Sequence, residues 1–481
     1  MITTILTLIV SALYLLIVIG TVLVVMLENR QPERTIAWVV AIVLLPFVGL
    51  VMFYFFGRNL RSRKRRKLYH NNTTTYLDAY SGSKDTLSIE NDTYYPLKKL
   101  CQEEFGAPLH RLEQAVLLES GTDFVQKLIE TFDSAKSHVY LETYIIEDDA
   151  VGNAVGEALL RAAKRGVDVR LLYDDVGCWR VKSAFFKHLS QGGVHVASFM
   201  PVRFPALTHK INYRNHRKVC VVDNEWGFVG GMNLAKRYVG EDGMHWQDLH
   251  LLLQGAAVER LESIFLSDWF YVTHSAEPQP QHFRTDTSSL INTSDVAAAA
   301  NSIQIVTSDP LTSMPQLMTA YVWAAIHARR YLYIQTPYFM PTEPFLHALK
   351  TAAMTGVDVR VMMPRKPDGV MLRHINDSYV GELLAAGIRV WLYEGGFLHS
   401  KSIVMDDNWC SIGSANMDFR SFLNNIEVSA LIYDTRTACK VRERFEADQK
   451  QCSEIDHKRW QHRGLKRRIK ESATRIFSPL F

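Results

Sequence analysis

The pattern His-x-Lys-x4-Asp-x6-Gly-(Gly/Ser)-x-Asn occurs twice in this chain of 481 residues. It runs first from His216 through Lys218, Asp223, Gly230, Gly231 and Asn233, and again from His399 through Lys401, Asp406, Gly413, Ser414 and Asn416. A single His-x-Lys is a chance event in a chain of this length. Two copies that agree at every fixed position imply an internal duplication. The surrounding sequence repeats as well. Val139-Tyr-Leu-Glu-Thr-Tyr-Ile-Ile146 matches Leu332-Tyr-Ile-Gln-Thr-Pro-Tyr-Phe339 in kind, and both read as buried strands. A helical segment follows each, with Val151, Val155 and Leu159 on one face in the first copy and Phe345, Leu349 and Ala352 in the second. Both helices run into the same five residues, Gly166-Val-Asp-Val-Arg170 and Gly356-Val-Asp-Val-Arg360, where glycine suits a left-handed helix cap and a new strand begins. Strand, helix, strand order predicts an α/β fold. Two homologous halves, each a mixed sheet flanked by helices, would pack face to face around one shared site, with a His-x-Lys from each.

The N-terminus is of another kind. Ile5–Leu27 and Ile36–Phe56 are nearly unbroken apolar runs, each long enough to cross a bilayer as a helix, and together they read as a transmembrane hairpin. Arg58, Arg61, Arg63, Lys64, Arg65, Arg66 and Lys67 follow with no acid among them. Positive residues stay on the cytoplasmic side, so the expected arrangement is two spans in the cell membrane with the catalytic body in the cytoplasm. A second basic cluster, Lys458 to Arg475, contains Trp460, Leu465 and Ile469, and suits a helix lying on anionic lipid. Residues 68–456 between the clusters hold 37 basic and 47 acidic residues, a net charge of −10, which disfavours a nucleic-acid partner. None of the six cysteines forms a CxxC pair, so reduced thiols and no zinc are expected.

A phosphodiester resists attack because its oxygens are negative. A catalyst must neutralise that charge, supply a nucleophile and protonate the leaving oxygen. The doubled motif can do all three: Lys218 and Lys401 as ammonium donors, Asn233 and Asn416 as amide donors, one imidazole as nucleophile and the other as acid and then base. No carboxylate cluster suited to magnesium is apparent, and no metal or other cofactor is required.

The pair of motifs resembles the signature of the phospholipase D superfamily, over most of Val139 to Asp434. The resemblance implies a covalent phosphatidyl-histidine, with His216 as nucleophile and His399 as acid/base. It implies that Asp248 and Glu427 orient the imidazoles, and that Asp223 and Asp406, the third residue of each catalytic motif, brace the site rather than touch phosphate. Gly231 stands where the family often has serine. Within the superfamily the chain looks most like the bacterial cardiolipin synthases. The tract from Ala37-Trp38 to Phe56-Gly57-Arg58-Asn59, the segment Gly413-Ser-Ala-Asn-Met-Asp-Phe-Arg-Ser421 and the terminal Phe477-Ser-Pro-Leu-Phe481 carry that likeness. It implies transfer of a phosphatidyl group from one phosphatidylglycerol to another, releasing glycerol, with anionic membrane lipids as partners. A phospholipase D that uses water as acceptor shares every catalytic residue and is the alternative.

The expected divisions are residues 1–67 for the hairpin and basic segment, 68–100 for a linker, 101–274 for the first half, 275–301 for the connection, 302–456 for the second half and 457–481 for the basic C-terminal segment. The loop from Gly193 to His216 is longer than its counterpart, Gly387 to His399, and its apolar and basic residues could admit a lipid headgroup. Because lysines and asparagines do the electrostatic work in this reading, activity should survive EDTA. Loss of activity that magnesium or zinc restores would reveal a metal site.

Overall fold

The computed structural model describes residues 2–27, 32–53, 92–202, 213–240, 243, 245–274, 301–312 and 314–480. They form two compact units, the N-terminal helices and a larger body. In the body, two sheets repeat one strand order. The first runs Gln114–Leu118, His250–Gln254, Trp226–Gly230, Val219–Val222, His138–Thr143, Asp168–Asp174, His195–Phe199. The second contains Ser302–Ser308, Glu427–Tyr433, Trp409–Gly413, Ser402–Met405, Tyr331–Gln335, Asp358–Pro364 and Arg389–Tyr393 in the same order, with His110–Arg111 and Cys452–Glu454 added at its edges. In each, the repeated first strand pairs parallel with the strand of the Val-Asp-Val-Arg repeat and antiparallel with the motif strand. The sheets are therefore mixed, and apolar clusters lie on both faces of each.

The helix ends explain why the repeat is so literal at Gly166 and Gly356. Their φ values are 88° and 98°, a region costly for any residue with a Cβ. Both close Schellman caps. The Gly166 and Val167 amides donate to Ala163 and Ala162 at 2.9 and 3.3 Å, and those of Gly356 and Val357 to Ala353 and Ala352 at 3.0 and 3.1 Å.

The motif aspartates lie at the far ends of their strands from the histidines, five residues beyond each lysine. Asp223 accepts from the amides of Lys136, Ser137 and His138 at 2.8, 2.8 and 2.9 Å. Asp406 does the same for Arg329, Arg330 and Tyr331 at 2.8, 2.8 and 2.9 Å. Each carboxylate thus ties the turn before the central strand to the motif strand beside it.

Two features differ from the sequence expectation. Residues 101–111 do not belong to the first half. The helix Tyr95–Glu103 spans the expected division, and Leu97, Cys101, Phe105, Ala107 and Leu109 are buried in the second half's core. Gln304 fixes the segment by donating to the carbonyls of Lys98 and Ala107 at 3.0 and 2.8 Å. Burial of this apolar set outweighs the polar composition upstream of it. The helix Ile2–Leu27 has the length and composition of a membrane span. The second apolar run is instead divided into Pro32–Leu44 and Pro46–Met52. Leu45 leaves the helical region at φ −126°, ψ 67°, as expected before a proline. Val25, Ile42 and Phe53 are buried together where the helices meet. Residues 54–91, 203–212 and 275–300, which hold the juxtamembrane basic cluster, the middle of the long loop and the connection between halves, lie outside the described residues.

The C-terminal helix Leu465–Arg475 turns an ionic face inward. Glu471 is 1% exposed and accepts from Arg463 and Arg467, both at 2.8 Å, while Arg467 reaches Asp377 at 2.9 Å and Arg475 reaches Glu382 at 2.5 Å. Leu465, Ile469, Ile476 and Phe477 are exposed.

Asp406→Ala should lower the unfolding free energy by about 2–3 kcal/mol, because three amides lose a charged acceptor. Chemical denaturation measures this, and a loss below about 0.5 kcal/mol would contradict the bracing role.

Candidate active site

The two motif histidines are brought together by reciprocal strand pairing between the halves. Asn215 forms a parallel bridge with Ile426, and the His216 amide donates to the Ile426 carbonyl at 2.8 Å. Phe397–Leu398 pairs in parallel with Trp246–Gln247, and the His399 amide donates to the Gln247 carbonyl at 2.7 Å. Ile426 and Gln247 immediately precede Glu427 and Asp248. Each imidazole consequently meets the carboxylate of the other half: His216 Nδ1 to Glu427 Oε2 at 3.0 Å, and His399 Nδ1 to Asp248 Oδ2 at 2.5 Å. Lys218 Nζ donates to the His216 carbonyl at 2.7 Å, and Lys401 Nζ to that of His399. Lys401 Nζ also lies 2.8 Å from His399 Nδ1. All six side chains are buried, yet both imidazoles keep a sliver of exposure, 9% for His216 and 7% for His399.

The match to known proteins follows the same repeat. A family model described as "Cardiolipin synthase, PLD-like domain" matches residues 128–269 and 324–449, and one described as "Phospholipase_D-nuclease N-terminal" matches residues 12–58. The chain is 37% identical over 465 residues to cardiolipin synthase 2 of Bacillus anthracis, covering 95% of this chain and 88% of the relative. It is 37% identical over 463 residues to a cardiolipin synthase of Geobacillus thermodenitrificans, covering 95% and 91%. Among solved structures, phosphatidylserine synthase of Haemophilus influenzae Rd KW20 superposes with a TM-score of 0.60 at 15% identity, over 80% of this chain and all of that one, a likeness of fold. The chain belongs to the phospholipase D-like cardiolipin synthase family.

The family's paired site is electrostatically uneven in this chain. Burial pushes the His216 imidazole down to about 4, with Lys218 adding to the effect and Glu427 opposing it. Burial would raise the Glu427 carboxyl, but His216, Lys218 and the Ser414 hydroxyl outweigh it and hold the group below its usual range. Ser414 Oγ donates to Glu427 Oε2 at 2.5 Å, and Asn425 Nδ2 to Oε1 at 3.1 Å. A charged Glu427 fixes the proton of a neutral His216 on Nδ1 and leaves the Nε2 lone pair for a substrate. Among the described residues the opposite carboxylate has no hydroxyl partner of this kind. Burial lifts Asp248 to about 6, against the pull of Lys401 and the Leu249 amide. At Gly231, the position equivalent to Ser414, a Cβ would sit 2.3 Å from Asp248 Oδ1. The serine expected from the family pattern therefore cannot be accommodated without moving Asp248. In the second half that serine contacts the carboxylate. His399 is held well below the ordinary imidazole value by burial and by Lys401, Lys218 and His216. Burial also lowers Lys218 to about 7 and Lys401 to about 8.

The motif asparagines differ from one another. Asn233 Nδ2 donates to the Tyr238 hydroxyl at 2.6 Å, and its Oδ1 accepts from the Ile145 amide at 3.2 Å. Asn416 Oδ1 is buried without a hydrogen-bond partner. Several neighbours escaped the sequence reading. Tyr144 packs edge-on against His216 at 4.8 Å, and Lys218 Nζ lies 5.1 Å from its ring centroid. Tyr238 and Trp246 pack on His399 at 5.5 and 5.2 Å. Beneath His216, Asn215 Nδ2 donates to Glu142, and Arg217 pairs with Asp268 and donates through Nε to the Glu427 carbonyl at 3.3 Å. One signal was available: Asn233-x3-Arg237 and Asn416-x3-Arg420 extend the repeat by four residues.

Because both lysines titrate near neutrality, anion binding at the site should weaken as they lose protons. Sulfate, whose charge is constant over the range, should inhibit best below pH 7 and lose about tenfold in affinity per lysine as pH rises past 8. An inhibition constant that is flat from pH 6 to 9 would contradict the placement of the lysines at the anion.

Proposed function

We infer that the protein is a membrane-bound phosphatidyltransferase that joins two phosphatidylglycerol molecules into cardiolipin and releases glycerol. The observation that carries this is the pair of imidazoles brought within electrostatic reach of each other, each held by the other half's carboxylate. In the proposed cycle His216 Nε2 attacks phosphorus while Lys218 and Lys401 neutralise the non-bridging oxygens. The P–O bond to glycerol breaks, and His399 gives its proton to the leaving alkoxide. That proton is taken up from solvent before attack, when the bound anionic diester supplies the negative charge that lets the buried His399 hold it. Neutral His399 then takes the proton of the incoming lipid hydroxyl, whose oxygen displaces His216 from phosphorus. The histidine is regenerated and protons balance.

Water is the more abundant acceptor, so a transferase gains from holding its site at the bilayer. The helix Ile2–Leu27 supports a membrane anchor, and the second apolar run, although divided at Leu45, supports a return span. The basic residues from Arg58 to Lys67 support a cytoplasmic body. The C-terminal helix suits a third contact. Its ionic face is satisfied inside, and Leu465, Ile469, Ile476 and Phe477 face outward among Lys466, Arg468 and Lys470, the distribution of an interfacial helix on anionic lipid.

Exchange of one phosphodiester for another costs little free energy, so the reaction should run both ways. Incubated with phosphatidylglycerol alone, the protein should yield cardiolipin and glycerol in equal amounts, and added glycerol should drive it back. Phosphatidic acid as the main product, with cardiolipin insensitive to glycerol, would overturn the transferase reading and favour hydrolysis.

A further inference from the structure

Arg237 stands one aromatic ring away from His399. Its Cζ lies 5.1 Å from the Trp246 ring centroid and 5.7 Å from that of Tyr238, the two rings that pack on His399. Nη1 is paired with Glu147 Oε1 at 2.5 Å. Nε is buried and, among the described residues, has no acceptor in hydrogen-bond geometry, although the guanidinium interacts with the Tyr238 hydroxyl and the side chain as a whole is 20% exposed. A buried charged donor left unsatisfied is costly, and a ligand that accepts from it removes the cost. The guanidinium is also one of the charges that keep the His399 imidazole neutral, which places it within electrostatic reach of that ring.

The chemistry defines what passes on this side. In an in-line displacement the leaving oxygen departs opposite the attacking His216, toward the group that protonates it. The incoming alcohol takes the same place in the second step. Both therefore lie on the His399 side. When the acceptor is itself a phospholipid, it brings a second phosphodiester, separated from the reacting hydroxyl by three carbons and an oxygen, on the order of 6 Å. Lys218 and Lys401 serve the phosphate being transferred. A second anion in a low-dielectric site needs its own cation, and Arg237 lies one aromatic ring away from His399. The counterpart in the second half, Arg420, lies on the attack side instead: its charge acts on Tyr144, the ring that packs on His216.

We propose that Arg237 binds the phosphodiester of the acceptor lipid, and the second phosphate of the cardiolipin product, and so selects a lipid alcohol over water or free glycerol. This rests on the transferase reading above. It makes Arg237 a specificity-determining residue for the acceptor.

Two rates measured on the same full-length protein in mixed micelles test it: cardiolipin formation from phosphatidylglycerol, and exchange of labelled free glycerol into phosphatidylglycerol. Exchange uses the same phosphatidyl-histidine but needs no second phosphate. In Arg237→Gln the ratio of cardiolipin formation to exchange should fall about 10- to 100-fold, the loss expected of a charge-assisted hydrogen bond to an anion. The fall should appear as a raised KM for phosphatidylglycerol as acceptor, and Arg237→Lys should recover part of the ratio. If both rates fall together, Arg237 acts through the Glu147 pair or the packing of His399 and the proposal is overturned. An unchanged ratio overturns it as well. If the unaltered protein exchanges glycerol or makes phosphatidic acid but forms no cardiolipin, the transferase reading itself fails, and the proposal with it.

Discussion

The site depends on a crossed hydrogen bond. Glu427 of the second half holds His216 of the first, and Asp248 of the first holds His399 of the second. Neither half can present a correctly oriented imidazole alone, so the halves must associate before any chemistry is available. The backbone enforces the same exchange: the amides of His216 and His399 each donate to the carbonyl immediately before the partner carboxylate. Both imidazoles are thereby fixed at ring and main chain by the opposite half, the kind of preorganisation an electrostatic site needs.

Duplication alone would give two equal histidines, and a two-step transfer needs unequal ones. The inequality comes from the groups around the two carboxylates. Ser414 adds a hydroxyl hydrogen bond to Glu427, and the serine, Asn425 and His216 together keep that carboxylate charged. Gly231 adds nothing and leaves room for the shorter Asp248, whose carboxyl is lifted by burial to about 6. A firmly charged partner favours an Nδ1-protonated His216, as the nucleophile role proposed for it requires. A partner lifted to about 6 suits the proposed role of His399, which is to give and then take a proton.

Much of this was legible in the sequence. The doubled motif, the matching strands and the two Gly-Val-Asp-Val-Arg segments specify two α/β halves, since each is a local pattern whose period and cap chemistry act within a few residues. The acids at 248 and 427 were visible too, but not which histidine each would reach, because strand pairing between halves is a long-range property with no local signature. Residues 95–111 were misplaced because composition drew the boundary. The apolar spacing of Leu97, Cys101, Phe105 and Leu109 carried the information, but not the identity of the core that would bury it. The second apolar run read as one span because a membrane helix can tolerate an internal proline, whereas here the helix breaks at Leu45, before Pro46.

The most direct test of a single site built from unequal halves is to trap the covalent intermediate. With His399→Ala both steps lose their proton donor or acceptor, so a phosphatidyl donor whose leaving group needs no protonation, phosphatidyl-p-nitrophenol labelled in its phosphate, should leave an acid-labile phosphatidyl group on His216 that is not passed on. His216→Ala should leave no label on His399. Label found on His399 instead would reverse the two roles, and turnover that persists in both variants with no label on either histidine would contradict the covalent account.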